Sequence, residues 1–153
     1  MSFFLGIDGG GTGCRAAVAD ASGRVLGTGT AGPANLTSDL AGTRANILTA
    51  TRAALLQAGL TENALPKLVA GLGLAGANTA DGATLDLPFA RVLIETDAVM
   101  TVKGALWGGD GIVAALGTGS VFASQRDGVI RQIGGWGPGR GWRSCPGSSI
   151  SGG

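Results

Sequence analysis

The chain opens on a continuous apolar run, Phe3-Phe4-Leu5-Gly6-Ile7, which predicts a buried strand. Shorter apolar stretches from Arg15 to Asp20 and from Arg24 to Thr30 predict two more strands. The polar turn Asp20-Ala21-Ser22-Gly23 separates them, and Gly32-Pro33-Ala34-Asn35 reads as a loop. Thr37-Ser38-Asp39 then offers an N-cap. Beyond it Leu40, Ile47, Leu48, Thr51, Ala54, Leu55 and Ala58 recur at helical spacing, so a helix is expected from about Leu40 to Ala58, stopped by Gly59. Lys67 to Leu74 predicts a strand, Thr79 to Leu85 a short helix or turn, Arg91 to Glu95 a strand, and Asp97 to Trp107 a helix. Gly108-Gly109-Asp110-Gly111 breaks the pattern. Ile112 to Leu116, Val121 to Gln125 and Val129 to Ile133 then repeat the opening three strands.

Three consecutive strands followed by helix, strand and helix predict an α/β fold with a mixed sheet of the ribonuclease-H-like kind. The expected organisation is a first lobe over residues 1–107, the start of a second lobe over 108–137, and a divergent Gly/Ser-rich tail over 138–153. The tail lacks an apolar period and is expected to be disordered. Three strands without a covering helix would leave one sheet face bare, which favours association, a homodimer being the simplest form.

Composition narrows the chemistry. Eleven basic residues stand against ten acidic ones with no basic run, which argues against nucleic acid as a partner. No apolar run is long enough to span a bilayer, so no membrane role is expected. Cys14 and Cys145 have no metal-site spacing, and a reduced, cytoplasmic setting fits them. Histidine is absent, which removes His-based triads and leaves a carboxylate, or after it a lysine, as the general base.

Two glycine-rich turns stand in matching contexts, Asp8-Gly9-Gly10-Gly11-Thr12-Gly13 and Gly117-Thr118-Gly119-Ser120. Each lies between apolar segments and is followed by a second polar turn. Thr12 precedes Gly23 by 11 residues, and Thr118 precedes Gly128 by 10. Glycine permits left-handed backbone and lacks a Cβ, so successive N–H groups can converge on an anion. Thr12, Thr118 and Ser120 add hydroxyls, and Asp8 can hold Mg2+ through water. One such turn alone is equally what a tight hairpin requires; the repetition, with a strand-terminal Asp, points to two phosphate-binding hairpins around one nucleotide. Asp97 follows a strand and opens a helix, where it can take a proton from a hydroxyl or simply cap the helix.

Four segments carry a family resemblance: Gly6-Ile7-Asp8-Gly9-Gly10-Gly11-Thr12, Thr96-Asp97-Ala98, Gly117-Thr118-Gly119-Ser120 and Gly134-Gly135-Trp136-Gly137. In order and separation they resemble the BadF/BadG/BcrA/BcrD ATPase family of the actin and hexokinase superfamily, and its N-acetylglucosamine kinase and glucosamine kinase branch in particular. The resemblance implies an ATP- and Mg2+-dependent kinase acting on an amino sugar. It places Gly10, Gly11, Thr12, Gly13, Gly117, Thr118, Gly119 and Ser120 on the ATP phosphates and Asp8 near Mg2+. It makes Asp97 the catalytic base, and puts Asn35, Thr96, Asp97, Gly135, Trp136 and Gly137 against the sugar. Trp136 also reads as an ordinary core aromatic.

The resemblance stops at about Pro138. Trp142 stands where the family carries an acidic sugar-binding residue, and the adenosine-binding motif and the rest of the second lobe have no counterpart in this sequence. A shift of reading frame would produce such a tail. An impaired kinase is therefore expected. The alternatives are an ATPase activator of a CoA-ester dehydratase or reductase, and a non-enzymatic fragment. The cysteines do not match the iron–sulfur pattern of the activators.

Overall fold

The computed structural model describes residues 3–77, 85–116 and 120–136. The elements run β1 Phe3–Gly9, β2 Cys14–Ala19, β3 Val25–Ala31, α1 Leu40–Gln57, a 3-10 helix Glu62–Lys67, β4 Leu68–Leu74, β5 Arg91–Thr96, α2 Asp97–Leu106, β6 Gly111–Leu116, β7 Ser120–Arg126 and β8 Val129–Trp136. Five strands form one sheet in the order β3-β2-β1-β4-β5. β1, β2 and β3 are an antiparallel meander, while β4 and β5 run parallel to β1. This is the expected ribonuclease-H-like mixed sheet. A three-stranded antiparallel meander, β6-β7-β8, forms a second sheet. The expected turn or helix at 79–84, the Gly117–Gly119 turn and the tail from Gly137 lie outside the described residues. Among the described residues no helix is long and apolar enough to cross a membrane.

Alternation decides which face of the large sheet is buried. Leu5 and Ile7 of β1, Cys14, Ala16 and Val18 of β2, and Leu68, Ala70 and Leu72 of β4 point to one side. There they pack with Ile47, Ala50, Ala54 and Leu55 of α1 into a single core. Each large side chain so buried contributes about 1.5–3 kcal/mol. Asp39 caps α1, its Oδ1 accepting the Gly42 N–H at 2.8 Å. Gly59 follows the C-cap Ala58 at φ +70°, a left-handed position that suits glycine.

Two glycines of β3 set how closely α1 approaches. A Cβ on Gly27 would collide with the Ala54 carbonyl oxygen and come within 2.6 Å of the Ala58 nitrogen. One on Gly29 would collide with the Ala50 carbonyl and lie 2.7 Å from the Ala54 nitrogen. The backbone of α1 thus rests directly on β3. Gln57 reaches past it and accepts hydrogen bonds from the Thr28 N–H and hydroxyl. That occupies a donor on an edge strand, which discourages pairing with another chain.

The opposite face of the sheet carries Phe4, Gly6, Asp8, Arg15, Thr28 and Thr30, all exposed. α2 covers its β4–β5 side, with the Met100 methyl 3.2 Å from where a Gly71 Cβ would stand. α2 also packs against β6, β7 and β8. The second sheet therefore has a covering helix that was not expected, with Val102 and Ala123 buried, while its other face is bare as expected, with Ile112 and Phe122 exposed. Trp107 at φ 50° and Gly108 at φ +83° turn the chain from α2 into β6. The Gln125 amide nitrogen donates to the Gly109 carbonyl at 2.9 Å, and the Asp127 N–H donates to Asp110 Oδ1 at 2.8 Å.

Candidate functional site

The Gly10–Gly13 turn joins β1 to β2 and is anchored at its first residue. The Gly10 N–H donates to the Gly13 carbonyl at 3.0 Å, and the Gly10 carbonyl accepts the Ala34 N–H at 2.9 Å. The Gly10 N–H is thus spent on the turn itself, while Gly10 still lines the cavity beside it. The N–H groups of Gly11, Thr12 and Gly13 have no acceptor among the described residues. None of the three glycines sits at left-handed φ, so their reason is not backbone permissiveness. A Cβ on Gly10 or Gly11 would meet no described atom within 4 Å. Among the described residues nothing stands where a side chain at these positions would go. Gly9 differs, because a Cβ on it would stand 2.7 Å from Leu74 Cδ2 and 2.8 Å from the Ala34 Cβ.

Beside this turn lies a polar cavity of about 360 Å³ lined by Asp8, Thr12, Gly13, Arg15, Thr30 and neighbours. Its side chains come from a cross-strand row. Asp8 pairs with Arg15 in the β1–β2 register, and Arg15 with Thr30 in the β2–β3 register. Directly opposed residues share a face of the sheet. Arg15 and Thr30 were not singled out from the sequence. The signal was there in the period of two, since Arg15 breaks an otherwise apolar strand, but its partner depends on register. Neither Asp8 nor Arg15 is among the ion pairs formed by described residues. A larger groove of about 590 Å³ shares Asp8, Arg15 and Thr30 and runs on past Ala17 to Met100 and Thr101 of α2. Cys14 lies at the buried end of the hairpin. Burial first, and the negative charge of Asp8 second, push its thiol up to about 11. It therefore supplies no thiolate for nucleophilic or cluster chemistry at neutral pH.

Asn35 is tied to the same turn. It forms a parallel bridge with Ala75, whose N–H donates to the Gly9 carbonyl at 2.9 Å and whose carbonyl accepts the Leu36 N–H at 3.0 Å. Asn35 Oδ1 accepts the Thr37 N–H and hydroxyl at 3.0 and 2.8 Å. The buried Thr43 of α1 donates to the Asn35 carbonyl at 3.0 Å. With its oxygen committed, Asn35 has its amide nitrogen to offer, and that group donates. Gly76, at φ +82°, presses on this loop: a Cβ there would lie 3.1 Å from Asn35 Oδ1.

At the end of β5, Thr96 is the N-cap of α2, its Oγ1 accepting the Val99 N–H at 3.2 Å. The capping role open to Asp97 thus falls to Thr96, and Asp97 is the first helical residue. Glu95 pairs with Lys103 at 3.8 Å, a half-exposed contact worth at most about 1 kcal/mol. In the second sheet the register sets Ser120 opposite Leu116 and Trp136. The pairing skips from Val121–Gly134 to Ser120–Trp136, which makes Gly135 the extra residue of a bulge. Gly117, Thr118, Gly119 and Gly137 lie outside the described residues.

An exposed carboxylate, unpaired N–H groups, two threonine hydroxyls and a guanidinium around one small cavity suit a phosphate chain carrying a divalent cation. Mg2+ keeps most of its water and takes one or two carboxylates plus substrate phosphates. Among the described residues no group of three or more Cys, Asp or Glu stands together, so a lone Asp8 fits Mg2+ brought by phosphate and not a caged metal. MgATP thus fits the residues present.

Comparison with known proteins agrees with this geometry. Residues 5–141 match the BadF/BadG/BcrA/BcrD ATPase family. The chain is 32% identical over 139 residues to glucosamine kinase GspK of Vibrio cholerae, covering 88% of this chain and 47% of that protein. Among solved structures it resembles a protein of Chromobacterium violaceum assigned as an N-acetylglucosamine kinase, with a TM-score of 0.76 and 34% identity over 90% of this chain and 50% of the other. It shares the fold alone with component A of (R)-2-hydroxyglutaryl-CoA dehydratase from Acidaminococcus fermentans, at TM-score 0.52 and 15% identity over 87% of this chain and 48% of the other. The chain spans about half the length of these relatives. With a five-stranded mixed sheet and a match over residues 5–141, the chain belongs to the BadF/BadG/BcrA/BcrD ATPase family.

Proposed function

We propose that the site is that of an ATP-dependent kinase, transferring a phosphoryl group from MgATP to a hydroxyl of glucosamine or N-acetylglucosamine. The observation that carries this reading is the row Asp8–Arg15–Thr30 beside the open Gly11–Gly13 turn, with Asn35 tied to that turn through Ala75 and Ala34. When bound, ATP supplies the phosphoryl group and Mg2+ offsets its charge. Asp8 orients the hydrated cation. Gly11, Thr12 and Gly13 donate to phosphate oxygens, and Arg15 adds a fixed positive charge across the cavity. Gly117, Thr118, Gly119 and Ser120 are assigned to the same phosphates.

Asn35, Thr96, Gly135, Trp136 and Gly137 hold the sugar. Asp97 would accept the proton of the sugar hydroxyl as the new P–O bond forms and the bond from the γ-phosphorus to the β–γ bridging oxygen breaks, ADP being the leaving group. The buried, protonated Cys14 gives no support to the iron–sulfur activator alternative. Asp97→Asn tests the assignment. Formation of the sugar phosphate ester, followed by 31P nuclear magnetic resonance, is expected to fall at least about a hundredfold with ATP binding retained. Ester formation at more than about a tenth of the wild-type rate would exclude Asp97 as the base.

A further inference from the structure

We infer that Thr37 is a positioning residue for the sugar: it fixes the side-chain amide of Asn35 so that the nitrogen, and not the oxygen, meets the substrate. This rests on the reading of Asn35 as a sugar contact given above. The backbone of Asn35 is held on both sides. Ala34 and Leu36 are buried, the Ala34 N–H donates to the Gly10 carbonyl at 2.9 Å, and the Leu36 N–H donates to the Ala75 carbonyl at 3.0 Å. The Thr43 hydroxyl donates to the Asn35 carbonyl at 3.0 Å. What this leaves free is rotation about the last side-chain bond, which exchanges Oδ1 for Nδ2 and so an acceptor for a donor.

Thr37 decides that exchange. Its N–H and its hydroxyl both donate to Asn35 Oδ1, at 3.0 and 2.8 Å, and fill the lone pairs of that oxygen. A turned amide would set its NH2 group against the Thr37 N–H, donor against donor, and lose both bonds. Thr37 Cγ2 lies against Gly76, 2.8 Å from where a Cβ on that glycine would stand, so the branched side chain is seated with its hydroxyl toward Asn35. Among the described residues no hydrogen bond occupies the Asn35 amide nitrogen. Asn35 therefore reads a lone pair, which a sugar hydroxyl or an amide carbonyl offers and an ammonium does not.

The test is titration of the 15N-labelled full chain with N-acetylglucosamine and with glucosamine in MgADP, following the Asn35 side-chain amide by nuclear magnetic resonance; its signals are those missing from Asn35→Ala. A sugar that binds is expected to shift them. Thr37→Val, which removes a hydroxyl at an exposed position, is expected to weaken sugar binding about fivefold, and Thr37→Ser, which keeps the hydroxyl, to stay within about twofold of wild type. In an Asn35→Ala background Thr37→Val is expected to have no further effect, because it acts through the amide. MgADP affinity and the thermal melt are expected to stay unchanged in both Thr37 variants; a parallel loss of MgADP affinity would overturn the inference by reducing Thr37 to a structural role. Sugar binding weakened by Asn35→Ala but untouched by Thr37→Val would overturn the inference alone. So would an equal loss from Thr37→Val with and without Asn35, which would make Thr37 a contact in its own right. Sugar binding indifferent to Asn35→Ala, or absent from the folded chain, would remove the sugar reading of Asn35 together with this inference.

Discussion

The same substitution at two neighbouring glycines separates what the fold needs from what the ligand needs. Gly9→Ala places a Cβ 2.7 Å from Leu74 Cδ2, 2.8 Å from the Ala34 Cβ and 3.1 Å from the Ala34 carbonyl oxygen. Carbon atoms in contact normally stand about 3.5–4.0 Å apart, so each neighbour must retreat by roughly 1 Å. Leu74 and Ala34 are both fully buried and have no room to do so. Overpacking of this kind costs about 1–3 kcal/mol. Gly11→Ala meets no described atom within 4 Å and sits outside the left-handed region. Its stability should change by at most about 1 kcal/mol in either direction, because the added Cβ also stiffens the unfolded chain.

Ligand binding should rank the pair the other way. A methyl group on Gly11 would crowd a phosphate held by the N–H groups of this turn, so the dissociation constant for MgATP should rise at least about tenfold, or 1.4 kcal/mol. Urea denaturation reads the first quantity and isothermal titration the second. The reasoning fails if Gly11→Ala is as destabilising as Gly9→Ala, or if it binds MgATP like the wild type.

Gly29→Ala should lower stability by about 1–3 kcal/mol in urea denaturation, because its Cβ would lie 2.7 Å from the Ala54 nitrogen and must push α1 off β3; an unchanged midpoint would contradict the close helix approach. Cys14 gives a pH signature. Its folded pKa of about 11 lies above the ordinary 9.0, so its contribution is fully present below about pH 9 and is lost as pH rises towards 11. That loss is on the order of 2–3 kcal/mol. In a Cys145→Ser background, replacing Cys14 by Ala should remove this part of the alkaline destabilisation; an identical pH profile in both proteins would contradict the assignment.

Most elements were legible because their signals are local. The apolar run of β1, the Asp39 cap and Gly59 stop of α1, and the Asp127-Gly128 turn between β7 and β8 each act over a few residues. The 3-10 helix Glu62–Lys67 was not, since Pro66 inside it reads as a breaker. Arg15 and Thr30 were missed because their role depends on register between strands, which a single strand does not encode. The glycines of the turn were assigned for backbone freedom, whereas the structure shows ordinary φ and open space in front of them. Likewise the sequence offered Asp97 as the cap, and only the placement of the first helical turn decides that Thr96 takes the role. The position of α2 against both sheets is a long-range packing outcome that the sequence pattern of α2 does not reveal.

The central claim is that this chain holds MgATP and an amino sugar together for phosphoryl transfer. Its most direct test is ADP release by the purified, folded chain in MgATP, measured with and without N-acetylglucosamine or glucosamine. The account predicts release that rises on adding one of the sugars and is lost in Asp97→Asn. Release at the same rate with and without either sugar, or none from folded protein, would contradict it.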